Sequence, residues 1–140
     1  MTAGTAMALT FIAHGLFAIG LPSGIPWLNH PQPGNFAEMT MLCLGLESEA
    51  VAGRILLVAG ILDLAAAIML FSPGRLRVAA LGYMVIWGLL TTLARPWSHF
   101  DPAFAAEAMT RWLPEALYRV PHFGLPLCLL LALPRRCMKD

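Results

Sequence analysis

"ILLVAGILDLAAAIMLF", residues 55–71, carries one ionisable side chain, Asp63, in 17 residues. A helix on the surface of a soluble domain keeps a polar stripe along one side, and no such stripe can be drawn through this stretch. Its length matches the ~20 apolar residues, range ~17–25, that a helix needs to cross a bilayer core. The stretch reads as a membrane span, and that reading decides the fold.

Three other stretches read the same way. With this one extended to 51–71, the predicted spans are 6–21, 51–71, 76–94 and 117–133. The fold class is therefore all-α: a polytopic membrane four-helix bundle, with residues 1–140 as a single membrane domain. Composition agrees. Hydrophobic residues make up 59% and charged residues 12%, about half the charged share of a soluble domain, and the mean hydropathy is +0.71. A net charge of +1 with no basic patch excludes a nucleic-acid partner. The start of the chain lacks the basic segment of a signal peptide, so residues 6–21 read as a retained first span.

Positive charge sets the orientation. The tight turn "SPGR" (72–75) joins spans 2 and 3 and brings Arg75 and Arg77, while the tail "PRRCMKD" (134–140) sets Arg135, Arg136 and Lys139 against Asp140. The long connection 22–50 holds Glu38, Glu47 and Glu49 and no Lys or Arg. Both termini and the turn are predicted on the cytoplasmic side of a bacterial-type inner membrane. The connections 22–50 and 95–116 are then external. Cys43 falls outside, Cys128 in the membrane and Cys137 inside, so Cys43 has no intramolecular disulfide partner. No CxxC or CxxH spacing suggests zinc.

The two halves resemble each other. "IPWLNHPQP" (25–33) and "RPWSHFDP" (95–102) share Pro-Trp, then a histidine and a proline; "NFAEMT" (35–40) and "FAAEAMT" (104–110) follow. A parallel repeat of two helical hairpins accounts for this, with its pseudo-two-fold axis along the membrane normal. It pairs Trp27 with Trp97, Glu38 with Glu107 and His30 with His99. "FAEMTMLCLGL" (36–46) and "FAAEAMTRWLPEALYR" (104–119) are expected to be short helices capping the outer face. Reuse of Trp, Pro and His at a membrane interface is the plainer alternative.

Ionisable groups inside spans cost free energy, ~2.5–3.5 kcal/mol for a central Asp or Arg on insertion scales, so they are the functional candidates. His14 and Asp63 are mid-span; His122 lies between Pro121 and Pro126 in span 4; Arg54, Arg95 and Arg119 lie near span ends. At ~1.5 Å rise per residue, His14 is roughly 10–12 Å and His122 roughly 6–9 Å below the outer ends of their spans. Those depths let both face one internal site. The two histidines could ligate a haem b, contact a quinone-like headgroup, or only lock the bundle, His14 pairing with Asp63 and His122 with a backbone carbonyl. Pro121 and Pro126 would free carbonyls nearby. Separately, Met39, Met41 and Cys43 are soft ligands suited to Cu(I). They share one face only on an extended backbone.

"FIAHGLFAIG" (11–20), "LLVAGILDLAAAIMLF" (56–71), "GYMVIWGLLTTLARP" (82–96) and "HFGLPLCLLLAL" (122–133), taken with the four spans and two long outer loops, resemble the DoxX-like membrane proteins. Asp63 after Gly60 matches the acidic position of that family's second span, while the basic residue often found at the end of span 1 is absent from "IGLPSG" (19–24). The resemblance implies a membrane subunit associated with redox chemistry, in some members thiosulfate oxidation coupled to quinone. The resulting expectation is a small membrane redox subunit with a cavity in its outer half. That cavity would be lined by His14, Asp63, His122, Arg95 and Arg54 and would hold a quinone-like or other small ligand. The alternatives are an assembly protein whose outer caps dock a membrane or extracytoplasmic partner, and a haem or copper carrier. Besides the bilayer, a second copy of the chain is a further candidate partner.

Overall fold

The computed structural model describes residues 2–20 and 34–133. Among them the chain is all-helical: α1 (Ala3–Ile19), α2 (Gly34–Leu44), α3 (Glu49–Met69), α4 (Arg75–Ser98), a 3-10 turn (Pro102–Phe104) and α5 (Ala105–Ala132). Leu21, Trp27, His30 and the tail with Arg135, Arg136, Cys137 and Lys139 lie outside the described residues. So do the proposed pairings of Trp27 with Trp97 and His30 with His99.

Local chemistry sets the helix ends. Thr2 caps α1, its hydroxyl accepting from the Thr5 N–H at 3.4 Å. Ser48 precedes α3, and Glu49 in its first turn suits the positive end of the helix dipole. Between α3 and α4, Pro73 cannot continue a helix, and Gly74 takes φ +64°, a conformation that costs a residue with a Cβ. Asp101 caps the 3-10 turn, accepting from the Ala103 N–H at 2.8 Å.

α3 and α4 are each long and apolar enough to cross a membrane; α1 is apolar but has 17 residues. The apolar windows of α3 and α4 are only 39% and 28% buried, whereas the core helix of a soluble protein is mostly enclosed. The segment expected as the external loop 95–116 is largely helical. α4 runs on to Ser98, and the second expected cap is the first part of α5, which continues through Pro114, Pro121 and Pro126 without a break. Each proline withholds an N–H from the carbonyl four residues earlier, those of Thr110, Leu117 and His122. Thr110 and Leu117 are exposed residues, and the His122 carbonyl is packed against α4.

α1 packs mainly on α3, and α4 on α5, with α2 laid across α3 and α4. Two apolar clusters hold the helices together. Near the α3–α4 turn, Met7 and Phe11 meet Ala66, Leu70, Leu81 and Met84. Towards the other end, Phe36 and Ala37 of α2 meet Ala52 and Leu56 of α3. Asp63 lies along α3 between the two clusters.

Candidate functional site

Close helix crossings at glycines build the site. A Cβ added to Gly15 of α1 would lie 2.7 Å from the Gly60 carbonyl oxygen of α3, and one added to Gly60 would lie 2.6 Å from that of Gly15. Only small residues allow backbones this close. The approach brings His14, the neighbour of Gly15, onto Asp63, one turn beyond Gly60. His14 Nδ1 lies 3.1 Å from Asp63 Oδ2.

Asp63 is fully buried, so its oxygens need donors from the protein. The second donor comes from α4: the Tyr83 hydroxyl lies 2.8 Å from Asp63 Oδ1 and 3.3 Å from the Ala59 carbonyl. Its one proton goes to the nearer acceptor. Each carboxylate oxygen thus accepts a hydrogen bond, one from α1 and one from α4, and the three helices are tied at one level.

α4 meets α5 at Gly88, where an added Cβ would lie 2.7 Å from the His122 carbonyl oxygen. Pro126 has removed the N–H that would otherwise face that oxygen. His122 Nδ1 lies 3.1 Å from the Arg119 carbonyl. A carbonyl only accepts, so Nδ1 carries the proton, and Nε2 is turned away from that bond. The His14 and His122 rings approach to 6.1 Å between centroids at 62°. These residues, 108 apart in the chain, both border a narrow enclosed space with Phe11, Trp87, Gly88 and Thr91.

Next to that space lies a larger cavity of about 370 Å³ with walls from all five α-helices. The volume falls within the ~300–1,000 Å³ of small-molecule pockets. Phe36, Leu44, Ile55, Leu56, Leu90, Leu93 and Trp97 make most of its lining apolar, and the polar groups are His14, Asp63, Thr40, Cys43, Thr91 and Arg119. α2 covers one side with Phe36, Met39, Thr40 and Cys43, a set at helical spacing. Cys43 Sγ lies 3.4 Å from the Ala94 carbonyl and ties α2 to α4. Burial there pushes the Cys43 thiol above its ordinary range.

The expected site residues separate on this frame. His14 and Asp63 line the cavity, and His122 lies against His14 just beside it. Arg95 turns to α5, its guanidinium 3.1 Å from Glu115 and 5.9 Å from the Trp112 ring. Arg54 borders a shallow depression with Ile19, Glu49 and Gly53. Because α2 is a helix, Met39 and Cys43 face the cavity while Met41 faces the opposite side with Glu38 and Leu42, so the three soft ligands do not converge. No group of three or more His, Cys, Asp or Glu is placed to hold a metal among the described residues. The enclosed space between His14 and His122 is far too small for a porphyrin.

Two contributors, Tyr83 and Trp87, were not among the expected candidates, and Arg119 was a candidate not expected to line the cavity. Tyr83 completes the Asp63 network. Trp87 lines both spaces and buries an indole N–H that has no partner among the described residues. Arg119 presents its side chain to the cavity. The turn at 72–75 offered a signal for Tyr83: counted along the hairpin, residue 83 stands nearly opposite residue 63. No family model, no curated protein and no solved structure matches this chain.

Proposed function

We propose that the protein is an integral membrane protein holding a lipid-soluble small molecule, an apolar body with one compact polar head, of which a quinone is one type. The observation that carries this reading is the cavity: about 370 Å³, walled by five helices, apolar apart from a few polar groups near His14, Asp63 and Arg119. Few polar groups in an apolar pocket is the usual construction of a small-molecule site. The buried His14–Asp63–Tyr83 chain fixes the His14 ring, so the polar wall is preorganised.

In this reading α1, α3, α4 and the later part of α5 are the four spans, and both termini are cytoplasmic. Large apolar side chains left exposed on all four support a lipid-facing surface: Leu9 and Phe17 on α1, Val58, Ile61 and Ile68 on α3, Ile86, Leu90 and Leu93 on α4, and Leu117 and Leu131 on α5. Water would not tolerate so continuous an apolar surface. The parallel repeat is part of the same proposal, with α1 against α3 and α4 against α5 as its two halves. The association with redox chemistry follows from the resemblance to DoxX-like proteins and from the suitability of such a cavity for a quinone ring.

Trp87 and Trp97 line the cavity, which provides the test. A short-chain quinone is titrated into the purified protein in detergent while tryptophan fluorescence is followed. Saturable quenching is expected, and Ala94→Phe, which fills the cavity from its α4 wall, should abolish the saturable part. Linear quenching, identical in the two proteins, would overturn the reading.

A further inference from the structure

We infer that the head of the cavity's occupant is an anion, a carboxylate or phosphate on an amphiphile, and that Arg119 holds it. The inference rests on the cavity reading above and narrows its ligand class.

It follows from an accounting of charge around the cavity. Asp63 lines the same cavity as Arg119, and Glu115 stands one turn before Arg119 on α5; each is bonded to another residue. The oxygens of Asp63 are taken by His14 and Tyr83. Glu115 pairs with Arg95 at 3.1 Å, and the charges of both act on Arg119. The Arg119 backbone carbonyl serves His122 at 3.1 Å and lies 3.3 Å from the Thr92 hydroxyl, so the backbone is fixed and the side chain stays available. Among the described residues, its guanidinium has neither an ion-pair nor a hydrogen-bond partner.

Arg119 is half-buried, and the cavity it borders is lined mostly by apolar side chains. A cation against apolar walls is costly without an anion or water beside it. The planar fork of Arg matches a carboxylate or phosphate with two parallel hydrogen bonds. Trp87 lines the same cavity, but its indole N–H is itself buried, which leaves Arg119 as the group that calls for an anion. The cavity therefore offers a guanidinium with no bonded partner among the described residues, and both oxygens of Asp63, the carboxylate on its wall, are engaged by His14 and Tyr83.

The test compares dodecanoate with dodecanol, which share a chain and differ in head charge. Both are titrated by calorimetry into the full-length protein in nanodiscs of phosphatidylcholine and, separately, of phosphatidylglycerol. In phosphatidylcholine, dodecanoate should bind about tenfold or more tightly than dodecanol, as expected for a charge-assisted pair. Arg119→Gln should remove that preference, and a wild-type-like helical circular-dichroism spectrum and melting temperature show that the variant is folded. Arg119→Lys should keep part of it. If the natural anion is a bilayer phospholipid, phosphatidylglycerol discs will weaken dodecanoate binding by competition. If it is a free amphiphile, the two disc types will agree. Equal binding of dodecanoate and dodecanol in the wild type would overturn the inference, as would a preference that survives in Arg119→Gln. Saturable quinone quenching without dodecanoate binding would sink the anion and spare the cavity reading. Failure of every ligand would sink both.

Discussion

Asp63 owes its place at 0% exposure to two donors, and both are testable. Asp63→Ala leaves the His14 N–H without its acceptor and leaves the Tyr83 hydroxyl only the Ala59 carbonyl at 3.3 Å. One orphaned group costs about 1–3 kcal/mol and one weakened bond about 1 kcal/mol, so the variant should lose about 2–4 kcal/mol of stability. Tyr83→Phe removes one donor and should lose about 1–2 kcal/mol. Thermal unfolding in detergent gives the order, and an Asp63→Ala protein that melts with the wild type would refute the network. The His14–Asp63 pairing was legible in the sequence as one of the open alternatives, because two ionisable groups at mid-span depth need partners. Tyr83 was not read because a tyrosine in a span draws attention only where its hydroxyl has an acceptor, and that acceptor is on the preceding helix. The Arg95 pairing was hidden for a different reason. Its partners Trp112 and Glu115 belong to a stretch read as separate from the last span, and only a continuous α5 sets them beside α4.

At the scale of elements, the glycines divide into two kinds. Gly60 and Gly88 are contact points, where a Cβ would lie 2.6 Å and 2.7 Å from a facing backbone oxygen. Gly82 sits on α4 with nothing within 4 Å of the added atom. Gly60→Ala and Gly88→Ala should each destabilise by about 1–3 kcal/mol through overpacking. Gly82→Ala should be neutral or stabilise by up to ~1 kcal/mol, since alanine is the better helix former. Unfolding midpoints of the three variants check this, and equal midpoints would contradict the crossings. The cap α2 makes a second prediction. Burial raises the Cys43 thiol, so its alkylation should reach half its maximal rate at a higher pH than that of a free cysteine peptide. A cavity ligand should slow the reaction further, because Cys43 lines the wall. An unshifted pH profile in a Cys128→Ser, Cys137→Ser background would place that thiol in open water. A short helix over 36–46 was among the readings of the sequence, and α2 covers Gly34–Leu44. The fusion of the second cap with the last span was not, since Pro114 and Pro121 read as boundaries and helix packing overrides that preference.

For the whole molecule, the long apolar runs such as residues 55–71 made the all-helical class legible, because runs of that length read as helices rather than strands. The approach of His14 and His122 was legible as a matching of depths. The cavity itself was not. It is bounded by Phe36, Leu56, Leu90 and Arg119 from four different helices, and no periodicity within a single helix reports a space between several. What lets the molecule enclose it is the close contact at Gly15–Gly60 on one side and at Gly88–His122 on the other, with α2 across the gap. The most direct test is to extract the protein, purified in mild detergent, with organic solvent and to quantify the released small molecules by mass spectrometry. Wild type and Ala94→Phe are compared at equal protein. A lipid-soluble compound near one copy per chain in the wild type, lost in Ala94→Phe, is the predicted result. No compound enriched over the detergent blank, or one retained equally by both proteins, would contradict a ligand cavity between these helices.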